Sequence, residues 1–441
     1  MRNRRFISLN IAISFISKGA GLAINFVLFK ILLDCIGQKE YGVWLTLNSV
    51  FAWFSFFDMG IGSGLKNKLS TSIALNQLEK AKSYVSTSYF MYTAIFTIVS
   101  IAFFFVSRFI NWSDLLKIQE IRGWELSDFI SLLALLFGAR FVLNLIISIG
   151  TSLQISAIVD IQGFFINITT FLLCILVLWL EICSFFTIAL VHSLVPLLVL
   201  VVITIVLFKN RFKFIQPTFS SVNVDAAKEL FALGNKFLFL QLSMLFLMTS
   251  SSVLISSFVS SEEVVVYNAA FRYFSVISIG FQTISFPFWA AFNDAFVKND
   301  IIWITNAIKK LLWVWLLFAA LGLLFLFLSD KVYLIWLSDK VNIPFSLSSL
   351  LMIQVLITSW NNIFVFFCNA VNALKIQIIL SLIMLFLNIP LAYLLSIVFA
   401  LKTNGIVITS ILLQLLFAII LPFQARRIIQ EKRALAKMIF H

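Results

Sequence analysis

Residues 56–68 read FFDMGIGSGLKNK: an apolar run ends in Asp58, glycines follow at 60, 62 and 64, and Lys66 and Lys68 close the stretch. Glycines at alternate positions before a lysine have the composition of a phosphate-binding loop. Such a loop, however, needs a strand before it, a helix N-terminus after it and the register G-x-x-x-x-G-K. Here the preceding segment is a long apolar run and the register differs. The stretch therefore reads as the inner end of a membrane helix. Its glycines permit close packing or a bend, and Lys66 and Lys68 anchor it in the interface.

Composition supports that reading over the whole chain. Of 441 residues, 61% are hydrophobic and 12% charged, with a mean hydropathy of +1.06; soluble globular chains carry about 25% charged residues. About 20 apolar residues cross the hydrocarbon core. On that basis twelve spans are predicted, at 7–33, 41–66, 83–108, 128–152, 158–180, 184–208, 230–257, 264–291, 303–328, 346–372, 376–400 and 404–424. The basic start MRNRR leads into a run long enough to span, so it reads as a first helix and not a cleaved signal. No loop is long enough for a separate soluble domain.

The charges predict the orientation. Alternate loops, with the termini, hold Arg2, Arg4, Arg5, Lys66, Lys68, Lys80, Lys82, Lys209, Arg211, Lys213, Lys228, Lys298, Lys309, Lys310, Lys375, Arg426, Arg427, Lys432, Arg433 and Lys437. The opposite loops hold only Lys39, Arg108, Lys117, Arg122, Lys331, Lys340 and Lys402. The positive-inside rule places the richer set, and both termini, in the cytoplasm of a multi-pass plasma-membrane protein. The net charge of +13 is then topology and interfacial contact with membrane lipids, not a nucleic-acid footprint.

Catalytic chemistry finds little foothold. His192, inside a span, and His441, at the last position, are the two histidines, which leaves no Ser-His triad and no histidine-based metal site. Cys35, Cys174, Cys183 and Cys368 are scattered without paired spacing and read as small apolar residues, with no disulfide framework. Nothing calls for a cofactor, and a non-enzyme is expected.

Polar residues recur inside the spans at helical spacing. Span 1 aligns Ser14, Lys18, Gly21 and Asn25; span 4 aligns Arg140, Asn144, Ser148 and Ser152; span 8 aligns Asn268, Arg272, Ser275 and Gln282. Span 10 aligns Gln354, Thr358, Asn361, Asn369 and Asn372, and span 2 adds Asn48, Ser55 and Asp58. Single amides can bridge helices, and Lys30 and Lys236 lie close enough to span ends to snorkel. Lys18, Arg140 and Arg272 are deeper, and a charge at the centre of a span costs at least about 2.5–3.5 kcal/mol unless it faces a wet interior. Together the stripes predict a hydrated, cationic cavity suited to an anionic cargo, above all one bearing phosphate. Lys18, Asn25, Arg140, Asn144, Asn268, Arg272, Gln354 and Asn361 are its candidate substrate-binding residues.

The two halves repeat. LLDCIGQKEYGVWLTLNSV (32–50) and LISSFVSSEEVVVYNAAFRYF (254–274) each carry an acidic outer turn followed by an aromatic residue, and both second spans run into amphipathic inner stretches. Parallel six-helix repeats are implied, residues 1–208 and 230–424, joined by the basic linker 209–229 and followed by a basic tail, 425–441. The expected fold is an all-α polytopic membrane protein of twelve spans in two six-helix lobes around a central cavity.

The segments GQKEYGVWLTLNSVFAWFSFFDMGIGSGLKNKLS (37–70), NWSDLLKI (111–118) and SSEEVVVYNAAFRYF (260–274), with the twelve-span layout, resemble the Wzx-type O-antigen flippases of the MATE-like (MOP) superfamily. The resemblance implies movement of undecaprenyl-pyrophosphate-linked oligosaccharide from the cytoplasmic to the periplasmic leaflet by alternating access. It also implies an ion gradient as driving force, with Asp58 as the candidate coupling carboxylate, and the O-antigen polymerase and chain-length regulator as partners. A flippase or exporter of another lipid-linked glycan, of capsule or teichuronic type, would share this pattern. A MATE-type multidrug antiporter shares the fold, but for cationic drugs carboxylates are expected in the cavity. A Wzy-like polymerase would need a larger outer loop than 109–127.

Overall fold

The computed structural model describes residues 4–53, 61–112, 126–153, 157–338, 340–371 and 373–439, and among them all regular structure is helical. The first helix, α1 (Arg4–Ala52), covers the first predicted span and the start of the second. Its break is a single residue, Gly37, at φ 79° and ψ 169°, a backbone conformation that a side chain would strain. Next come α2 (Ile61–Ala74), α3 (Leu78–Ser107), α4 (Leu126–Leu143), α5 (Leu145–Ser152), α6 (Ala157–Trp179) and α7 (Phe185–Lys209). Two short 3₁₀ turns, Lys213–Ile215 and Phe219–Ser221, lead to α8 (Val224–Phe258). The remaining helices are α9 (Ser261–Ser285), α10 (Pro287–Val297), α11 (Ile301–Leu337), α12 (Phe345–Ala370), α13 (Lys375–Tyr393) and α14 (Lys402–Ile439).

Among the described residues, ten helices are long and apolar enough to cross a membrane. One of them, Gly19–Ala52, is two spans divided at Gly37, and α8 occupies the seventh predicted span. The chain is therefore a multi-pass membrane protein whose layout is consistent with twelve spans. The caps follow local chemistry: Ser260 Oγ accepts from the Glu263 amide at 3.3 Å, and Asp300 accepts from Trp303 at 2.9 Å. Pro287, which lacks an amide donor, opens α10 where the eighth span breaks. Residues 425–439, read as a tail from sequence, continue α14 as helix.

The chain divides into two compact units, Met1–Leu245 and Phe246–His441. In the first, α1 packs on α6, α3 on α4, and α4 and α6 on α7; Leu65, Leu69, Val85, Ile146 and Leu230 form its core at the basic-loop side, called inner here. In the second, α12 is the central helix, packed against α9, α10, α11 and α14, with Phe281, Phe292, Ile304, Phe367 and Leu421 buried around it.

The opening stretch takes its place in the first unit. A Cβ on Gly64 would stand 2.7 Å from the Leu230 carbonyl oxygen, so this glycine is what lets the first turns of α8 press on α2. Lys68 pairs with Glu229, and the Tyr84 hydroxyl donates to Glu229 Oε2 at 2.8 Å. The Thr218 amide donates to Ser86 Oγ at 3.1 Å, and the Asn223 amide to Thr87 Oγ1 at 3.0 Å. The connector and the first turns of α8 are thus tied to the inner ends of α2 and α3. The Lys68 ammonium and the Tyr84 hydroxyl hold the Glu229 carboxyl below the usual carboxylate range. A depressed value means the ion pair is fully present near neutral pH and is lost only as the pH falls through that lowered value. Glu229 is 47% exposed, so the pair itself adds little stability; the tight backbone approach at Gly64 sets the geometry.

One expectation is overturned. Cys35 and Cys183 form a disulfide with Cα atoms 5.8 Å apart, inside the range such bonds require. It ties the outer end of the first span to the turn before α7, and its partners are separated by 148 residues. No local spacing signals such a pair; the fold alone brings the two residues together. Cys174 and Cys368 are free and buried.

Two measurements test this fold. Alkylation of denatured, unreduced protein followed by peptide mapping is expected to label Cys174 and Cys368 alone, with Cys35 and Cys183 labelled only after reduction; labelled Cys35 before reduction contradicts the pairing. Gly64→Ala is expected to lower the melting temperature of the detergent-solubilised protein, an overpacking cost of about 1–3 kcal/mol.

Candidate functional site

Arg140 stands near the middle of the 27-residue span Leu126–Ser152. At about 1.5 Å per residue it lies roughly 18–21 Å from either end, too far for its side chain to reach the interface. It is half-buried, and among the described residues no carboxylate pairs with it and no group accepts from its guanidinium. Asn144, one turn on, is also half-buried, and its side chain makes no cap hydrogen bond.

The backbone changes at this pair. α4 ends at Leu143 and α5 starts at Leu145, with Asn144 at φ −62° and ψ −14° between them. The Ile147 amide bonds to the Asn144 carbonyl in the tighter i→i−3 pattern, at 3.0 Å. A short 3₁₀ irregularity inside a long helix often marks a functional position. The helix is fixed just before it, against α3: Phe141 stacks on Tyr92 at 4.7 Å, and a Cβ on Gly138 would meet the Phe96 ring at 2.4 Å. A rigid helix therefore presents five guanidinium donors and a free amide on one face, a set suited to two oxygens of a phosphate.

The other sequence-predicted residues divide. Asn25 Nδ2 donates back to the Gly21 carbonyl at 2.9 Å. Gly21 itself is a packing position, since a Cβ there would meet Asn167 of α6 at 2.9 Å; the stripe on the first span is in part a helix seam. Ser152 Oγ donates to its own helix at Ser148 O, 2.6 Å. In the second unit Arg272 is half-buried on α9, and Ser275 Oγ donates to its carbonyl. Asn268, expected to face cargo, instead bridges α9 to α8, with Nδ2 donating to Ser252 Oγ at 3.2 Å and to Val264 O at 2.8 Å.

Gln354 and Asn361, also expected to face cargo, are only 8% exposed and lie in the seam of α12 against α14. Asn361 Nδ2 donates to Gln414 O at 3.0 Å, and Thr358 Oγ1 to Gln414 Oε1 at 2.7 Å. These placements share one cause: a polar stripe on a membrane helix can face a partner helix as readily as water, and Gln414, which accepts from Thr358 and Asn361, was not singled out in the sequence. The Gln354 Oε1 and Asn361 Oδ1 atoms keep no partner in that seam. His192, set aside as a catalyst, packs edge-on to Trp44 with Nδ1 3.1 Å from the Ile188 carbonyl. Asp58 and the Lys18 side chain lie outside the described residues. No cluster of metal-ligating side chains occurs among the described residues.

The fold is shared with solved membrane transporters. Similar structures include an inward-facing multidrug-resistance MATE family transporter of the MOP superfamily, with a TM-score of 0.76 at 13% identity over 96% of this chain and 99% of that one. An outward-facing structure of such a transporter gives 0.65 at 14% identity over 96% of each chain. In sequence, the chain is similar to a Salmonella typhi protein named for O-antigen transport, at 23% identity over 374 residues and 83% of each chain. It is also similar to a Yersinia pseudotuberculosis protein named for O-antigen export, 36% identical over 61 residues and 14% of each chain. No family model matches. The resemblance to O-antigen transporters read from the sequence is thus found again in the names of these two sequence relatives.

The site makes a stability prediction of opposite sign for two residues. Arg140→Gln is expected to leave unchanged or raise the melting temperature, because it removes from mid-span a charge with no partner among the described residues. Asn268→Ala is expected to lower it, by about 0.6–1.7 kcal/mol for an interhelical hydrogen bond in a membrane protein. A large loss for Arg140→Gln contradicts the reading of Arg140 as unpartnered.

Proposed function

We propose that this protein is a flippase that moves undecaprenyl-pyrophosphate-linked O-antigen oligosaccharide units from the cytoplasmic to the periplasmic leaflet by alternating access. The observation that carries the reading is Arg140 at mid-span without a partner among the described residues, one turn from an uncommitted Asn144. A chain that retains such a charge at a cost of several kcal/mol uses it for a ligand, and a diphosphate is the ligand that a guanidinium and an amide recognise together. The relatives named for O-antigen transport and export support O-antigen as the cargo, and a lipid carrier with a diphosphate is the form in which the Arg140 guanidinium would meet it.

The setting is the inner membrane with both termini cytoplasmic. The excess of lysine and arginine on one side supports that orientation. So does the Cys35–Cys183 disulfide on the other side, since such bonds persist in an oxidising periplasm. The fold shared with multidrug transporters admits an exporter, but a cationic drug would be repelled by Arg140. Another lipid-linked glycan would present the same diphosphate, and its sugars would decide between the two. In this reading Asp58 couples transport to an ion gradient.

Complementation tests it. Deletion of the gene is expected to abolish long-chain O-antigen on lipopolysaccharide, with lipid-linked units accumulating on the cytoplasmic face. The wild-type gene restores the ladder, and Arg140→Gln, at matched membrane expression, does not. An unchanged ladder on deletion with altered drug sensitivity contradicts the flippase.

A further inference from the structure

We propose that a groove on the outer surface of the first unit, between α3 and the connector that leads into α8, is a binding site for one acyl chain of an anionic phospholipid of the inner leaflet. The groove encloses about 570 Å³ and is lined by Phe90, Thr93, Thr97 and Ile98 of α3 and by Pro217 and Phe219 of the connector. Phe90 is 51%, Ile98 68% and Phe219 89% exposed; in a membrane these surfaces meet lipid, not water. Its α3 wall runs from Ser86 to Ile98, about 18 Å along a helix. That is close to the hydrocarbon depth of one leaflet, about 15 Å.

The charge at one end selects the lipid. Lys80 and Lys82, one to two turns before Ser86, fall on either side of the groove at its inner mouth, and Lys213 stands exposed on the 3₁₀ turn packed against α3. Lys82 has no ion-pair partner among the described residues. Lys80 lies near enough to Glu229 to act on its carboxyl, and Glu79 is the one acid in the first turn of α3. The lining past Ser86 carries hydroxyls but no charge. An apolar channel one leaflet deep with cations only at its inner mouth matches a lipid with an anionic headgroup and a straight chain.

The cargo lipid is the less suited occupant. The side of α3 that meets Arg140's helix is defined by Tyr92 on Phe141 and Phe96 on Gly138, and the groove residues lie about a third of a turn away from it. Pro217, Thr218 and Phe219 form the opposite wall, and the Thr218 amide is itself tied to Ser86 of α3. A bound chain would therefore hold the connector in place against α3, a structural lipid in support of the α8 docking described above.

The test uses the full-length protein in detergent with added dioleoyl phosphatidylglycerol, dioleoyl phosphatidylcholine or undecaprenyl phosphate, followed by native mass spectrometry and thermal melting. Phosphatidylglycerol is expected to give a retained one-lipid adduct and to raise the melting temperature more than phosphatidylcholine does. Thr93→Trp with Thr97→Trp, which fills the groove from exposed positions, removes the adduct and the shift. Lys82→Gln keeps binding but abolishes the preference for phosphatidylglycerol. Equal binding of both phospholipids by the wild type, or an adduct that persists in the tryptophan variant, overturns the proposal. So does a groove-dependent adduct with undecaprenyl phosphate alone, which would make the groove an entry path for cargo. None of these readouts depends on Arg140, so failure here leaves the flippase reading standing.

Discussion

A charge in the hydrocarbon region, without a partner among the described residues, constrains this molecule more than any other feature. Arg140 cannot snorkel from mid-span, and α4 is packed against α3 through Phe141 on Tyr92 and Gly138 on Phe96, residues that flank Arg140. Fold stability would favour almost any apolar residue at this position. In the function proposed above, the phosphate oxygens of the cargo replace the water that the guanidinium has lost. The uncommitted Asn144 and the 3₁₀ step beside it belong to the same economy of structure: the helix gives up regularity where it presents its polar face.

Around that site the first unit is built from close approaches. Glycines at 21, 64 and 138 each admit a neighbouring atom that a Cβ would displace, which is how membrane helices gain dispersion contact without a hydrophobic drive between them. Gly64 does this for the chain's own continuation, letting α8 start on the inner end of α2. The connector is then fixed by hydrogen bonds to Ser86 and Thr87 and by the Lys68–Glu229–Tyr84 cluster. The second unit follows a different plan, with polar side chains of α12 and α14 interlocked through Thr358, Asn361 and Gln414. Among the described residues, its seam carries amide oxygens without partners, and the first unit carries Arg140 without one.

Much of the fold was legible because hydropathy reports a solvent boundary, and a bilayer imposes that boundary on every span. The glycines at 60–64 could be read as packing residues from their place at a span end, and the structure gives Gly64 that role. Arg140 was legible because a mid-span charge is costly wherever it points. Polar amides were not, since an asparagine stripe has the same period whether it meets water or a helix. Asn268 and Asn361 bridge helices, and the partners that reveal this, Ser252 and Gln414, are remote in sequence. The Cys35–Cys183 pair was hidden by its separation of 148 residues, although the predicted topology already put both cysteines at outer span ends, a signal that spacing alone does not weigh.

The most direct measurement of the central claim is the affinity of the purified protein, in nanodiscs of fixed lipid composition, for an undecaprenyl-pyrophosphate-linked oligosaccharide, compared between wild type and Arg140→Gln. The account expects saturable binding by the wild type, at least tenfold weaker binding by the variant at unchanged melting temperature, and intermediate affinity for Arg140→Lys, which keeps the charge but not the fork. Equal affinities for wild type and Arg140→Gln would contradict it and leave Arg140 a polar residue with no part in recognising the cargo.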